Sequence, residues 1–139
     1  PEVVFAVESG LALSRDDVAR AMMEHGLLLE RVRRFQEKYE FILCAVNQVA
    51  PFDAAVHWPQ SINDVRMNSY TDWMKSAYWI TTTFRPAISV PAGFTAEGLP
   101  VGIQMVGRYR DDFGLLQFAS AFEQATGFGK KRPSGAGAT

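Results

Sequence analysis

Few side chains in this sequence are of the types that break bonds at neutral pH, and their settings decide what they could do. The histidines are His25 and His57, and the single cysteine is Cys44. A Cys–His pair would support acyl transfer, because the imidazole takes the thiol proton and the thiolate attacks. Cys44, however, sits inside the apolar run FILCAV, residues 41–46, where burial keeps a thiol protonated and inert. His25 falls beside the apolar stripe of a helical segment and reads as a packing or boundary residue. His57 lies in a proline-containing loop beside Trp58, a setting in which a pocket role is natural. The sequence has no G-x-S-x-G elbow, phosphate loop, G-x-G-x-x-G or H-E-x-x-H. It therefore predicts no cofactor and no metal, and one cysteine leaves no intrachain disulfide.

Three other groupings carry polar or aromatic chemistry. Arg31, Arg33 and Arg34 are interleaved with Glu30, Glu37 and Glu40, which reads as a solvated helix face with i,i+4 ion pairs and not as a nucleic-acid patch. Tyr70, Trp73, Tyr78 and Trp79 recur at helical spacing and serve either as core or as the wall of a ligand pocket. Gln104 sits in an apolar strand; pairing outward from a turn at Thr95-Ala96-Glu97-Gly98 sets Ser89 opposite it. A buried amide needs partners, so Ser89 and Gln104 form a candidate structural polar pair.

The elements that position these groups follow from the apolar pattern. Residues 1–10 suit a short helix opened by Pro1, with an extended segment as the alternative. Ser14 and Asp17 form a capping box for a long helix whose stripe runs through Val18, Met22, Leu28, Leu29, Val32, Phe35 and Tyr39. FILCAV suits a strand buried on both faces. Residues 47–67 read as a long irregular loop, a length that is often functional. A helix starting near Asn68 or Ser69 is expected to end before Thr81. Two strands then flank the 95–98 turn, with Pro86, Pro91 and Pro100 at strand ends or an edge and Gly93, Gly102 and Gly107 allowing bulges or close approach. A last helix begins at Asp111–Asp112 and stops at Gly127. The result is an α/β domain over residues 1–128 followed by a flexible tail, 129–139. Three strands make a thin sheet that wants neighbours.

Bulk properties exclude several classes. A formal net charge of −1 gives no general attraction to nucleic acid or to an anionic membrane. The apolar runs are too short to span a bilayer. A reducing, cytoplasmic setting fits the lone cysteine.

The ordered series PAISVPAGF, GLPVGIQMVG and LLQFASAFEQATG resembles the C-terminal part of the amidase signature family, which includes bacterial amidases and the A subunit of the tRNA-dependent amidotransferase. Upstream, YEFILCAVNQVAPF and SINDVRMNSYTDWMKSAYWITTTFRPAISVP extend the similarity to about residues 1–128. The resemblance implies a layered α/β/α fold with a large mixed sheet and helices packed on the strands. It implies hydrolysis of carboxylic amides by a serine nucleophile, activated by a second serine with a cis peptide and by a lysine, through an acyl-enzyme. Those groups belong to the family's N-terminal part. There is no Ser-Ser pair here, and Lys38, Lys75, Lys130 and Lys131 lie in no matching context. No catalytic residue is carried over.

Two departures stand near the substrate side: Asn63-Asp64, where relatives often have glycine, and Thr83-Phe84-Arg85, where they often have small residues. The expected object is a C-terminal fragment, inert by itself and prone to self-association, of an enzyme acting on a small amide. His57, Trp58, Trp73, Thr82 and Phe84 are its candidate pocket wall. The alternatives are a non-catalytic interaction module and an amidotransferase A-type subunit.

Overall fold

The computed structural model describes residues 2–131; Pro1 and the part of the expected tail beyond residue 131 lie outside the described residues. Helix α1 spans Glu2–Leu11 and helix α2 spans Arg15–Lys38. The capping box forms as expected: the Ser14 hydroxyl accepts from the Asp17 backbone N–H at 3.2 Å, and the Asp17 carboxylate accepts from the Ser14 N–H at 3.0 Å. These bonds satisfy amide donors that a helix start leaves open. On the outer face, Arg33 meets Glu30 at 2.7 Å and Glu37 at 2.6 Å, and Arg34 meets Glu30 at 2.7 Å. The stripe expected on α2 is only partly covered. Met22 is 72% exposed and Val18 47%.

Strands β1 (Ile42–Ala45), β4 (Ala87–Phe94) and β5 (Pro100–Val106) form an antiparallel sheet in the order β1-β5-β4. The expectation that FILCAV is buried on both faces is corrected: β1 is an edge strand whose side chains alternate between half-buried and exposed. Its apolar character is therefore only partly used within the described chain.

The 47–67 loop is also less irregular than expected. It carries a small hairpin of β2 (Ser61–Ile62) and β3 (Val65–Arg66). Asn63 and Asp64 turn it, with φ of 48° and 63°, the left-handed pair that a two-residue hairpin loop demands and that Asn and Asp tolerate.

The helix expected over residues 68–80 is broken. Ser69 stands just before α3 (Tyr70–Trp73) without a side-chain capping bond, α4 covers Lys75–Tyr78, and a 3-10 turn runs from Trp79 to Thr83. Gln48 Nε2 donates to the Asp72 and Trp73 carbonyls at 2.8 and 2.6 Å, so acceptors at the break are occupied from outside the helix. The threonines do not end the element but tighten it. Thr81, Thr82 and Thr83 each donate a hydroxyl to the carbonyl three residues back, at 2.5–2.6 Å, in step with the i→i+3 pattern of a 3-10 turn.

The main hairpin has the expected register. Ser89 stands opposite Gln104, and the turn closes with Gly98 N–H donating to the Thr95 carbonyl at 3.0 Å. A bulge between Pro91 and Gly93 absorbs one residue, and Gly93 takes a φ of 144° that favours glycine. Helix α5, Asp112–Thr126, packs on one face of the sheet. Val90, Met105, Leu115 and Ala119 are buried there, with Phe41 stacked on Phe118 at 4.3 Å. Side chains alternate along β5, so Met105 turns to α5 while Gln104 turns to the opposite face, where it reaches α4. Helices on both faces of a sheet make this an α/β arrangement. After α5, Phe128–Lys130 form a 3-10 turn whose Phe128 ring lies against Gly93.

Candidate functional site

A groove of about 980 Å³ runs between α2 and the 3-10 turn. Ala21, His25, Leu28 and Val32 line it from α2, and Trp79 and Ile80 from the turn. The α2 residues are spaced i, i+4, i+7, i+11, one helical face. His25 therefore does more than pack at a boundary. Its Nε2 lies 2.6 Å from the Thr82 carbonyl oxygen, and since a carbonyl only accepts, Nε2 carries the proton. Its ring meets Phe84 edge-on at 5.2 Å. Spacing from Ala21 and Leu28 was the available signal that His25 shares the groove face.

Thr82 and Phe84 line this same groove. Phe84 has φ 54° and ψ 24°, the left-handed region, which a bulky side chain enters only when its surroundings hold it there. The strained residue is the one whose ring covers His25.

The other candidate wall residues do not join them. Trp73 lines a second cleft of about 440 Å³ between residues 45–52 and the start of β5. Phe52 and Tyr70 each meet its ring edge-on, at 5.5 and 5.9 Å, and its buried indole N–H has no hydrogen-bond partner among the described residues. His57 lies 5.8 Å from Tyr70, ring to ring. Trp58 is half-buried in the same loop, its carbonyl accepting from Gln60. Of the five residues, Thr82 and Phe84 line the groove and Trp73 the second cleft, while His57 and Trp58 lie in the 47–67 loop and line neither.

The polar pair is corrected in part. Ser89 faces Gln104 in register but is exposed, whereas buried Gln104 accepts from the Cys44 thiol at 3.3 Å and donates to the Ala77 carbonyl at 3.5 Å. Gln104 lies on the central strand, so a neighbour on β1 is as close as one on β4. Burial pushes the Cys44 thiol up from its ordinary value, opposite to the shift an attacking thiolate requires. Lys75 is paired with Asp72 at 2.8 Å. Among the described residues no group of three His, Cys, Asp or Glu side chains gathers as a metal would need, and no helix is long and apolar enough to cross a membrane.

Residues 5–116 match the family model described as Amidase. The chain is 31% identical over 119 residues to an acylamidase of Rhodococcus erythropolis, covering 85% of this chain and 25% of that protein. It is 28% identical over 131 residues to the A subunit of the glutamyl-tRNA(Gln) amidotransferase of Ralstonia pickettii, covering 84% of this chain and 26% of that protein. The chain therefore spans about a quarter of the length of these relatives. In structure it is similar to a bacterial aryl acylamidase of the amidase signature family, with a TM-score of 0.81 at 19% identity over 94% of this chain and 27% of that one, a likeness of fold. On the family match and the shared fold together, this chain belongs to the amidase family.

Proposed function

We propose that this chain forms the C-terminal, substrate-side part of a hydrolase that cleaves carboxylic amides at the C–N bond, and that the serine and lysine groups breaking that bond lie in the part of the family's sequence it does not cover. The observation that carries this reading is the family match over residues 5–116. The chain's own reactive groups agree with it: the thiol is tied to Gln104 and His25 to a backbone carbonyl. On this reading, the groove walled by His25, Thr82 and Phe84 receives the apolar part of the amide, and the Trp73 cleft and the neighbouring loop that carries His57 and Trp58 flank the same substrate side. Exposed apolar side chains on α1 and α2, such as Phe5, Leu11 and Met22, together with the open sheet edges, support self-association of the isolated chain. A cytoplasmic setting accompanies the free thiol of Cys44.

Two measurements on the 139-residue chain test this reading. Incubated with 4-nitroacetanilide, it is expected to release no 4-nitroaniline above buffer. Turnover that disappears when a residue of this chain is mutated would place the bond-breaking groups here and overturn the proposal. Titrated with acetanilide, tryptophan fluorescence is expected to change saturably through Trp79, less tightly in Phe84→Ala; no saturable change removes the groove from the substrate side.

A second reading, an amidotransferase A-type subunit, is favoured by the Ralstonia pickettii relative. Co-purification with a partner protein of the amidotransferase would select it.

A further inference from the structure

We propose that the cleft around Arg85, Arg108 and Tyr109 binds a small oxyanion, a carboxylate or a phosphate group, at a site separate from the His25 groove and independent of the amide-hydrolase reading. The cleft encloses about 440 Å³ between the C-terminal half of α2 and the residues just before β4 and just after β5. A neighbouring cleft of about 380 Å³ shares Arg33, Arg85 and Tyr109 with it.

The key observation is an uncompensated charge. Arg85 is half-buried. Its Nε donates to Gln36 Oε1 at 2.7 Å and its Nη1 to the Thr83 carbonyl at 3.3 Å. Both acceptors are neutral, and no carboxylate pairs with Arg85 among the described residues. A guanidinium withdrawn from water without a counter-ion is costly, and an arriving anion relieves that cost.

A second guanidinium is held in the same place. Arg108 Nε donates to the Gln36 backbone carbonyl at 3.2 Å. Its nearest carboxylate, Glu40, is 3.6 Å away on a side chain 61% exposed, a loose and solvent-screened contact. Gln36 is only 5% exposed and donates its own Nε2 to the Gly107 carbonyl at 2.8 Å. The two arginines are thus anchored at Nε to one buried residue tied to the end of the sheet. That leaves terminal N–H groups for a ligand, in the planar fork that suits carboxylate and phosphate oxygens. Tyr109 lies 5.4 Å below Arg85, and Arg110 approaches the same ring at 5.2 Å, adding positive charge.

The acidic neighbours set the size of the ligand. Glu37 lines the cleft and Glu30 the neighbouring one, both engaged by Arg33 on α2, and Glu40 stands beside Arg108. They do not neutralise Arg85, yet they oppose a long polyanion laid across the surface. A compact anion entering between them fits; a nucleic-acid backbone does not.

The test is a titration of the isotope-labelled protein with sodium malonate and, separately, sodium phosphate, at constant ionic strength held with sodium chloride, following the arginine Nε–H signals. Saturable shifts of the Arg85 and Arg108 signals are expected with at least one salt. Malonate alone would assign a carboxylate ligand, phosphate alone a phosphoryl ligand, and both a general oxyanion site. Arg85→Met and Arg108→Gln are each expected to weaken binding about tenfold or more, the usual loss for one charge-assisted contact. If Arg85→Met fails to fold, Arg108→Gln carries the test. Shifts that rise linearly with both salts, or saturable shifts that persist unchanged in the folded variants, overturn the proposal.

Discussion

His25 on α2 donates its Nε2–H to the carbonyl of Thr82 in the 3-10 turn at 2.6 Å, across 57 residues of chain. The bond ties the helix to the turn within the groove lining. Replacing His25 with Ala removes this bond and the edge contact with Phe84. The expected loss is about 1–2 kcal/mol of stability, read by urea denaturation with an unchanged slope. A variant as stable as the parent would mean that the bond does not hold the groove.

Glu30 sets an acid limb for α2. Hydrogen bonds from Arg33 and then Arg34 hold its carboxyl at about 2, below its ordinary 4.5. Because the folded value is the lower one, its contribution is present above the ordinary carboxylate range and is lost as pH falls below 4.5 and through about 2. Far-ultraviolet circular dichroism should show helix content falling over that window, less steeply in Glu30→Gln. The effect should be small and should shrink with added salt, since the pair is exposed. Identical acid profiles for parent and Glu30→Gln would refute it.

Gln104 and Ser89 share a register and should differ sharply on mutation. Gln104→Leu strips the Cys44 thiol and the Ala77 carbonyl of their shared partner, and a loss of about 1–2 kcal/mol is expected. Ser89→Ala changes an exposed side chain and should stay within about 0.5 kcal/mol. Equal losses from the two variants, measured by thermal unfolding, would show that the cross-strand partner carries the amide after all.

Gly107 marks where the end of β5 meets α5. A Cβ there would lie 3.1 Å from Leu115 Cβ, 3.3 Å from the Asp111 carbonyl oxygen and 3.5 Å from Pro86 Cγ. Two of these atoms belong to the stiff start of a helix. Gly107→Ala should therefore destabilise by about 1–3 kcal/mol, whereas Gly26→Ala, with open space at its Cβ, should not destabilise and lies at a helix position where alanine is favoured. Chemical denaturation of both variants checks the contrast; a neutral Gly107→Ala would argue that α5 shifts freely.

Local chemistry determined much of this protein from the sequence alone. The Ser14–Asp17 box opens α2, Gly98 closes the hairpin turn, and Gly127 ends α5. Each depends on residues close in sequence, so backbone preferences and short-range hydrogen bonds decide it. Tertiary structure alone decided which face β1 buries, that Gln104 pairs with Cys44 and not with Ser89, that Gln48 reaches the Asp72 and Trp73 carbonyls at the helix break, and that Arg85 and Arg108 meet around Gln36. Those outcomes depend on which strand lies in the middle of the sheet and on contacts between segments tens of residues apart. Periodicity records that a residue is apolar or polar; it does not record which distant partner arrives to cover it.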